Sequence, residues 1–148
     1  MKICTFIGHG DCEERNIPKL RNTIEELILR KGVDVFYVGT HGNFDRFIYN
    51  VLCELEKQYQ IKINVVLAYL NTENDVDYET AKTMFPDVLE NTPARFAIVK
   101  RNNYMIDKAD YVVCYVNNSF SNSYSFAKRA IKKNKKLINL GTYKFDEV

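Results

Sequence analysis

Ile3-Cys4-Thr5-Phe6-Ile7-Gly8-His9-Gly10 opens the chain with a short apolar run that stops at a glycine turn. Runs of the same kind, strand-length and rich in β-branched or aromatic residues, recur at 34–38, 62–69, 111–116 and 136–140. Most are continuous rather than alternating, the pattern of parallel strands covered on both faces.

Between them the apolar spacing becomes helical. Leu20, Ile24, Leu27 and Ile28 form one stripe, with Pro18 near its start and Gly32 placed to close it. A second stripe joins Phe44, Phe47, Ile48, Val51, Leu52 and Leu55 over 44–59, with Asn43 at the N-cap position. A third helix is expected from Thr92-Pro93 through Phe96, Ile98 and Met105 to Ala109, and a last one carries Phe126, Ala127, Ala130 and Ile131. Right-handed crossovers then predict an α/β, Rossmann-like three-layer sandwich with a mostly parallel five-stranded sheet in the order 3-2-1-4-5. The acidic, aperiodic span 71–91 reads as a lid or pocket wall.

The 148 residues suit one domain, 1–148, and 46% hydrophobic composition is enough for a core without staples. A net charge of +2 does not argue for nucleic acid or a membrane surface. Cys4, Cys12, Cys53 and Cys114 form no C-x-x-C pair, as in a reducing, cytoplasmic setting, and no apolar run approaches membrane-spanning length.

In the predicted strand order the chain reverses between the first and fourth strands, where open α/β sheets hold ligands at the strands' carboxyl ends. Gly8, Gly10, Gly39, Gly42 and Gly141 all follow predicted strands, as either tight turns or close ligand approach would require. Gly8-His9-Gly10-Asp11-Cys12-Glu13 carries only the first two glycines of the dinucleotide fingerprint, and Thr40-His41 stand where its acid would be, so a nicotinamide dehydrogenase is not expected. No P-loop motif is present.

The loop Asn117-Asn118-Ser119-Phe120-Ser121-Asn122-Ser123 precedes the last helix and suits either an anion or simple capping. His9, Asp11, Cys12 and His41 have neither metal-site nor nucleophile spacing, and no metal or other cofactor is expected. The carboxylates Asp11, Asp45 and Glu90 are the candidates for acid–base or glycosyl chemistry; Asp45 also suits a helix N-terminal dipole. Arg95 and Asn102, two turns apart, share a helix face with Arg101 beside them, offering an anion fork or a solvated face. The run Lys128, Arg129, Lys132, Lys133, Lys135 and Lys136 suits a helix C-terminus better than nucleic acid, because no aromatics interleave it.

Taken together, Cys4-Thr5-Phe6-Ile7-Gly8-His9, Phe36-Tyr37-Val38-Gly39, Gly42-x-Phe44-Asp45, Leu67-Ala68-Tyr69, Arg95-Phe96-Ala97-Ile98, Arg101-Asn102-x-Tyr104-Met105-Ile106 and Tyr115-Val116 resemble the YpsA-like branch of the SLOG superfamily, in order and over nearly the whole chain. The resemblance implies a Rossmannoid fold related to the LOG and DprA proteins and, at matching positions, site residues Gly8, His9, Gly39, Gly42, Asp45, Arg95, Arg101 and Asn102. It also implies binding of nucleotides or nucleotide-derived signals; some relatives hydrolyse N-glycosidic bonds.

Two departures stand out. Gly10 replaces the arginine of a Gly-His-Arg turn, and Ser121-Asn122-Ser123 replaces a Gly-Gly-Ala turn. The P-G-G-x-G-T-x-x-E motif of LOG enzymes is absent, so inherited LOG-type hydrolysis is not expected.

The expected function is therefore binding or sensing of a nucleotide-like small molecule, at Gly8, His9, Gly10, Gly39, Thr40, Gly42, Asp45, Arg95, Arg101, Asn102, Asn117, Ser119, Ser121, Asn122 and Ser123. The alternatives are a nucleotide N-glycosidase or transferase using Asp11, Asp45 or Glu90, and a single-strand DNA-binding or adaptor module. Self-association is left open.

Overall fold

A computed structural model describes residues 1–8, 12–70 and 78–145. Its main elements are β1 (Ile3–Gly8), α1 (Ile17–Lys31), β2 (Val35–Val38), α2 (Gly42–Glu56), β3 (Lys62–Val66), β4 (Thr83–Met84), α3 (Ala94–Lys108), β5 (Tyr111–Tyr115), α4 (Asn122–Lys132) and β6 (Lys136–Asn139). They build one parallel sheet in the order β4-β3-β2-β1-β5-β6.

The expected order 3-2-1-4-5 is thus extended to six strands. The added strand, β4, pairs Thr83 with Val65 and Met84 with Val66 at the outer edge. It comes from the span read as a lid or pocket wall, and two residues are too few to show a period. Of that span, residues 71–77 lie outside the described residues. The third strand ends at Val66 rather than at 69.

The strands are apolar on both sides because helices cover both. Cys4 and Phe6 of β1 and Tyr111 and Val113 of β5 pack with Leu20, Ile24 and Leu27 of α1 and with Phe44, Ile48 and Leu52 of α2. Ile3, Ile7, Val112 and Cys114 face the other way, against Met105 and Ile106 of α3 and Ala127 and Ala130 of α4. Adjacent residues on one strand therefore feed different layers.

Helix boundaries follow local chemistry. Gly32 closes α1 with φ 71°, a left-handed conformation that glycine adopts without a Cβ penalty. α2 begins earlier than expected: His41, not Asn43, is its N-cap, and Gly42 supplies φ 83° at the entry. Asn43 instead accepts from Arg46 within the first turn, at 2.7 Å. In α3, Pro93 is the N-cap rather than the first helical residue. Ala97, Arg101, Met105 and Ile106 form its buried stripe, whereas Phe96 is half exposed. No helix among the described residues is long and apolar enough to cross a membrane. All four cysteines are free thiols.

Candidate functional site

α1 and α2 cover one face of the sheet and α3 and α4 the other, so the chain changes sides between β1 and β5. A cavity of about 780 Å³ opens there, beyond the strands' carboxyl ends. β1 contributes Phe6, Ile7 and Gly8, the entry to α2 contributes His41 and Asp45, and α3 contributes Ile98, Val99, Arg101 and Asn102. The remaining wall is Phe120 to Ser123 with Ser125 and Phe126, at the start of α4.

The chemistry concentrates on Arg101. Its position in the buried stripe of α3 carries the guanidinium under the sheet end, where the residue is 1% exposed. Nε donates to Asn102 Oδ1 at 2.8 Å, and Nη1 donates to Thr40 Oγ1 and to the Val66 carbonyl, each at 3.2 Å. These partners are neutral. Among the described residues Nη2 has no hydrogen-bond acceptor and no carboxylate forms an ion pair with the guanidinium. Burial lowers the Arg101 pKa while Asp45 opposes that shift. An arginine retains its proton through such a shift, so the cavity floor carries a fixed positive charge.

Asp45 sits on the first turn of α2, is itself buried, and lines the same cavity. Its Oδ2 accepts from the His41 backbone N–H at 2.9 Å, which satisfies one donor at the helix start. Burial raises its pKa, against the pull of Arg101, of the His41 backbone bond and of the His41 charge. Gly39 lies between the two groups: a Cβ there would stand 2.7 Å from Asp45 Oδ2 and 3.1 Å from Arg101 Cζ. Beside them, burial and the Asp45 charge push Tyr78 up to about 12.

Across the cavity, Ser121 caps α4 by accepting from Tyr124 N–H at 3.2 Å. Asn122 and Ser123 follow as the first helical residues, whose N–H groups have no acceptor within the helix. Such a terminus favours negative charge. Phe120 stands at the rim with its ring 95% exposed, while its N–H is fixed by Asn118 Oδ1 at 2.9 Å.

Among the residues singled out in the sequence, the fold brings Gly8, Asp45, Arg101, Asn102, Ser121, Asn122 and Ser123 to the cavity, with Gly39 and Thr40 directly behind Asp45 and Arg101. Gly42 serves the entry turn of α2. Arg95 is exposed, its guanidinium 4.7 Å from the Phe96 ring centre, and does not line the cavity. Glu90 and Ser119 are exposed outside it, and Asn117 instead accepts from Thr142 N–H at 3.0 Å. His9, Gly10 and Asp11 lie outside the described residues.

Sequence reading missed the apolar lining, Phe6, Ile98, Val99, Phe120 and Phe126, as site material. The only available signal was Phe120, an aromatic residue isolated in a polar loop. No group of three or more His, Cys, Asp or Glu among the described residues is placed to hold a metal.

The basic run has a structural explanation. Arg129 binds Asp107 at 2.9 Å and Lys133 approaches it at 3.7 Å. Lys135 donates to the Asp107 carbonyl, and Lys136 lies over the Tyr111 ring.

No protein-family model matches the sequence, and no curated protein matches it. Among solved structures, the chain is similar to DNA processing protein A (DprA) from Streptococcus pneumoniae, with a TM-score of 0.68 at 15% sequence identity. The match covers 99% of this chain and 53% of that one, so the chain spans about half the length of its structural neighbour. What the two share is a fold, the parallel α/β sandwich whose strand ends frame the cavity.

Proposed function

We propose that the protein binds a nucleotide or nucleotide-derived small ligand in this cavity. The observation that carries the reading is Arg101, a buried cation lining the cavity, whose Nη2 has no acceptor among the described residues. Asp45 stands near enough to offset part of the cost of burying that charge but makes no hydrogen bond to it, and an anion seated on the guanidinium would offset more. The start of α4 offers a second favourable position for negative charge. Phe120 and Phe126 supply aromatic walls for a planar ring and Ile98 and Val99 apolar ones, and the volume falls within the ordinary range of small-molecule sites. The resemblance to the YpsA-like branch of the SLOG superfamily points the same way.

Calorimetric titration of the folded protein with nucleoside mono- and diphosphates, cyclic nucleotides and ADP-ribose derivatives tests this. Saturable binding that Arg101→Met weakens at least tenfold is expected; a folded protein that binds nothing in the panel overturns the reading.

A second reading, a nucleotide N-glycosidase or transferase, is favoured by one observation: Asp45 is a buried carboxyl group in the cavity wall. Chromatography of incubated nucleoside monophosphates would reveal a released base, and Asp45→Asn is expected to stop the release. The DNA-processing role in the neighbour's name leaves a single-strand DNA module as the third reading. The pairing of Arg129 and Lys133 with Asp107 makes the basic run a weaker support for it.

A further inference from the structure

Gly39 leaves the room in which the Asp45 carboxyl group and the Arg101 guanidinium stand near each other. The point where its Cβ would stand is 2.7 Å from Asp45 Oδ2 and 3.1 Å from Arg101 Cζ, yet no hydrogen bond joins the two side chains. Asp45 spends Oδ2 on the His41 N–H, and its Oδ1 has no donor among the described residues. Arg101 spends Nε and Nη1 on Asn102, Thr40 and Val66. Both residues line the same cavity, and Asp45 is its sole carboxyl group among the described lining residues.

An anion placed on Arg101 therefore comes up against the Asp45 carboxylate, at two side chains that are both buried. Two like charges in such a place cannot both persist cheaply, and the adaptable one is the carboxyl group, because Arg101 is fixed. We propose that Arg101 is the oxyanion contact of the cavity and that Asp45 takes up a solvent proton when the oxyanion binds. The ligand then meets a guanidinium beside a neutral carboxyl group that can donate a hydrogen bond. This rests on the reading of the cavity as a site for an anionic ligand.

Among the described residues few titratable or charged groups face Asp45. Arg101 comes from α3, His41 from the turn before α2, and Tyr78 from the segment leading to β4. Arg46, next to Asp45 on α2, is exposed and stays charged. Tyr78 does not titrate near neutrality. His41 is the one imidazole among the described residues that line the cavity, so the test has to separate it from Asp45.

Sulfate is the probe, because its own charge does not change between pH 5 and 8. Its affinity is measured calorimetrically at several pH values and in buffers of different ionisation enthalpy, which counts protons taken up. The expected result for the natural sequence and for His41→Gln is tighter binding, by several-fold or more, as pH falls from 8 to 5, with net proton uptake. Asp45→Asn is expected to bind sulfate more tightly than the natural sequence at pH 8 and to lose the uptake.

Uptake that disappears in His41→Gln, or survives in Asp45→Asn, overturns the inference while leaving the cavity an anion site. Sulfate binding that Arg101→Met does not weaken overturns Arg101 as the contact. No binding at any pH removes the anion-site reading as well. If Asp45→Asn does not fold, the buffer series on the natural sequence, His41→Gln and His9→Gln still decides the matter: uptake lost in either histidine variant overturns the inference.

Discussion

The Phe44 ring lies so close to the backbone of Gly8 that a Cβ on Gly8 would stand 2.4 Å from Phe44 Cδ2. Phe44 is fully buried and stacks on Tyr115 at 6.2 Å, so it has little room to retreat. The glycine at the end of β1 is thus explained by packing across the switch point. Gly8→Ala is expected to destabilise the fold by about 1–3 kcal/mol in urea unfolding, the usual cost of overpacking. Adding Phe44→Leu should recover part of that loss, and strict additivity of the two changes would contradict the packing account.

Arg101 separates binding from stability. Arg101→Met keeps the volume and removes a desolvated cation, but leaves the Val66 carbonyl and Thr40 without their donor. Those effects oppose each other, so unfolding free energy is expected to change by no more than about 2 kcal/mol. Affinity for an anionic ligand should fall at least tenfold, since a charge-assisted hydrogen bond contributes about 1.5–3 kcal/mol. Arg101→Lys should restore only part of it, because an ammonium cannot hold Asn102, Thr40 and a ligand in the same planar arrangement.

The division between what was legible in the sequence and what was not has physical causes. Runs such as Tyr111 to Tyr115 announce a strand buried on both faces, and parallel pairing with right-handed crossovers leaves few topologies, so the central 3-2-1-4-5 arrangement could be read directly. Thr83–Met84 could not, because an edge strand of two residues owes its existence to Val65 and Val66 alongside it. Asn43 seemed the better cap by residue type, yet Gly42 reaches φ 83° and lets the helix start two residues earlier. At the site, polar residues stood out by type, but whether an arginine is buried depends on its turn of the helix. Arg95 and Arg101, six residues apart, end on solvent and under the sheet respectively. The apolar wall was hidden because Ile98 and Phe126 look like ordinary core.

Asp45 gives stability a pH dependence of definite sign. Its pKa in the fold is raised above its ordinary value of 3.8, chiefly by burial. The native state therefore holds the proton more tightly than the unfolded chain. Its contribution is fully present below 3.8 and is lost as pH rises through the raised folded value. Asp45→Asn should remove this loss: relative to the natural sequence it gains stability as pH rises from 4 towards 7, and the two converge in acid. Urea midpoints across that range check it, and a gap that widens on acidification would reverse the sign.

Asn139, at the end of β6, governs the strand end that leads into the α4 loop. Its Oδ1 accepts from Val116 N–H at 2.9 Å and Gly141 N–H at 3.0 Å, and its Nδ2 donates to the Val116 and Tyr143 carbonyls at 3.0 and 2.7 Å. One amide thus replaces the backbone ladder where β5 and β6 diverge and fixes Val116, after which the chain runs through Asn117 to the cap at Ser121. Asn139→Ala is expected to cost about 2–3 kcal/mol, from four part-buried hydrogen bonds at somewhat under 1 kcal/mol each. Asn139→Asp keeps both acceptor bonds but turns oxygen towards two carbonyls, so it should be no better than alanine at neutral pH. Because the loop after Val116 carries Phe120 and the start of α4, hydrogen exchange at Val116 and Gly141 should accelerate in both variants, and ligand affinity should fall although Asn139 does not line the cavity. Faster exchange with unchanged affinity would mean that the α4 terminus keeps its position without this anchor.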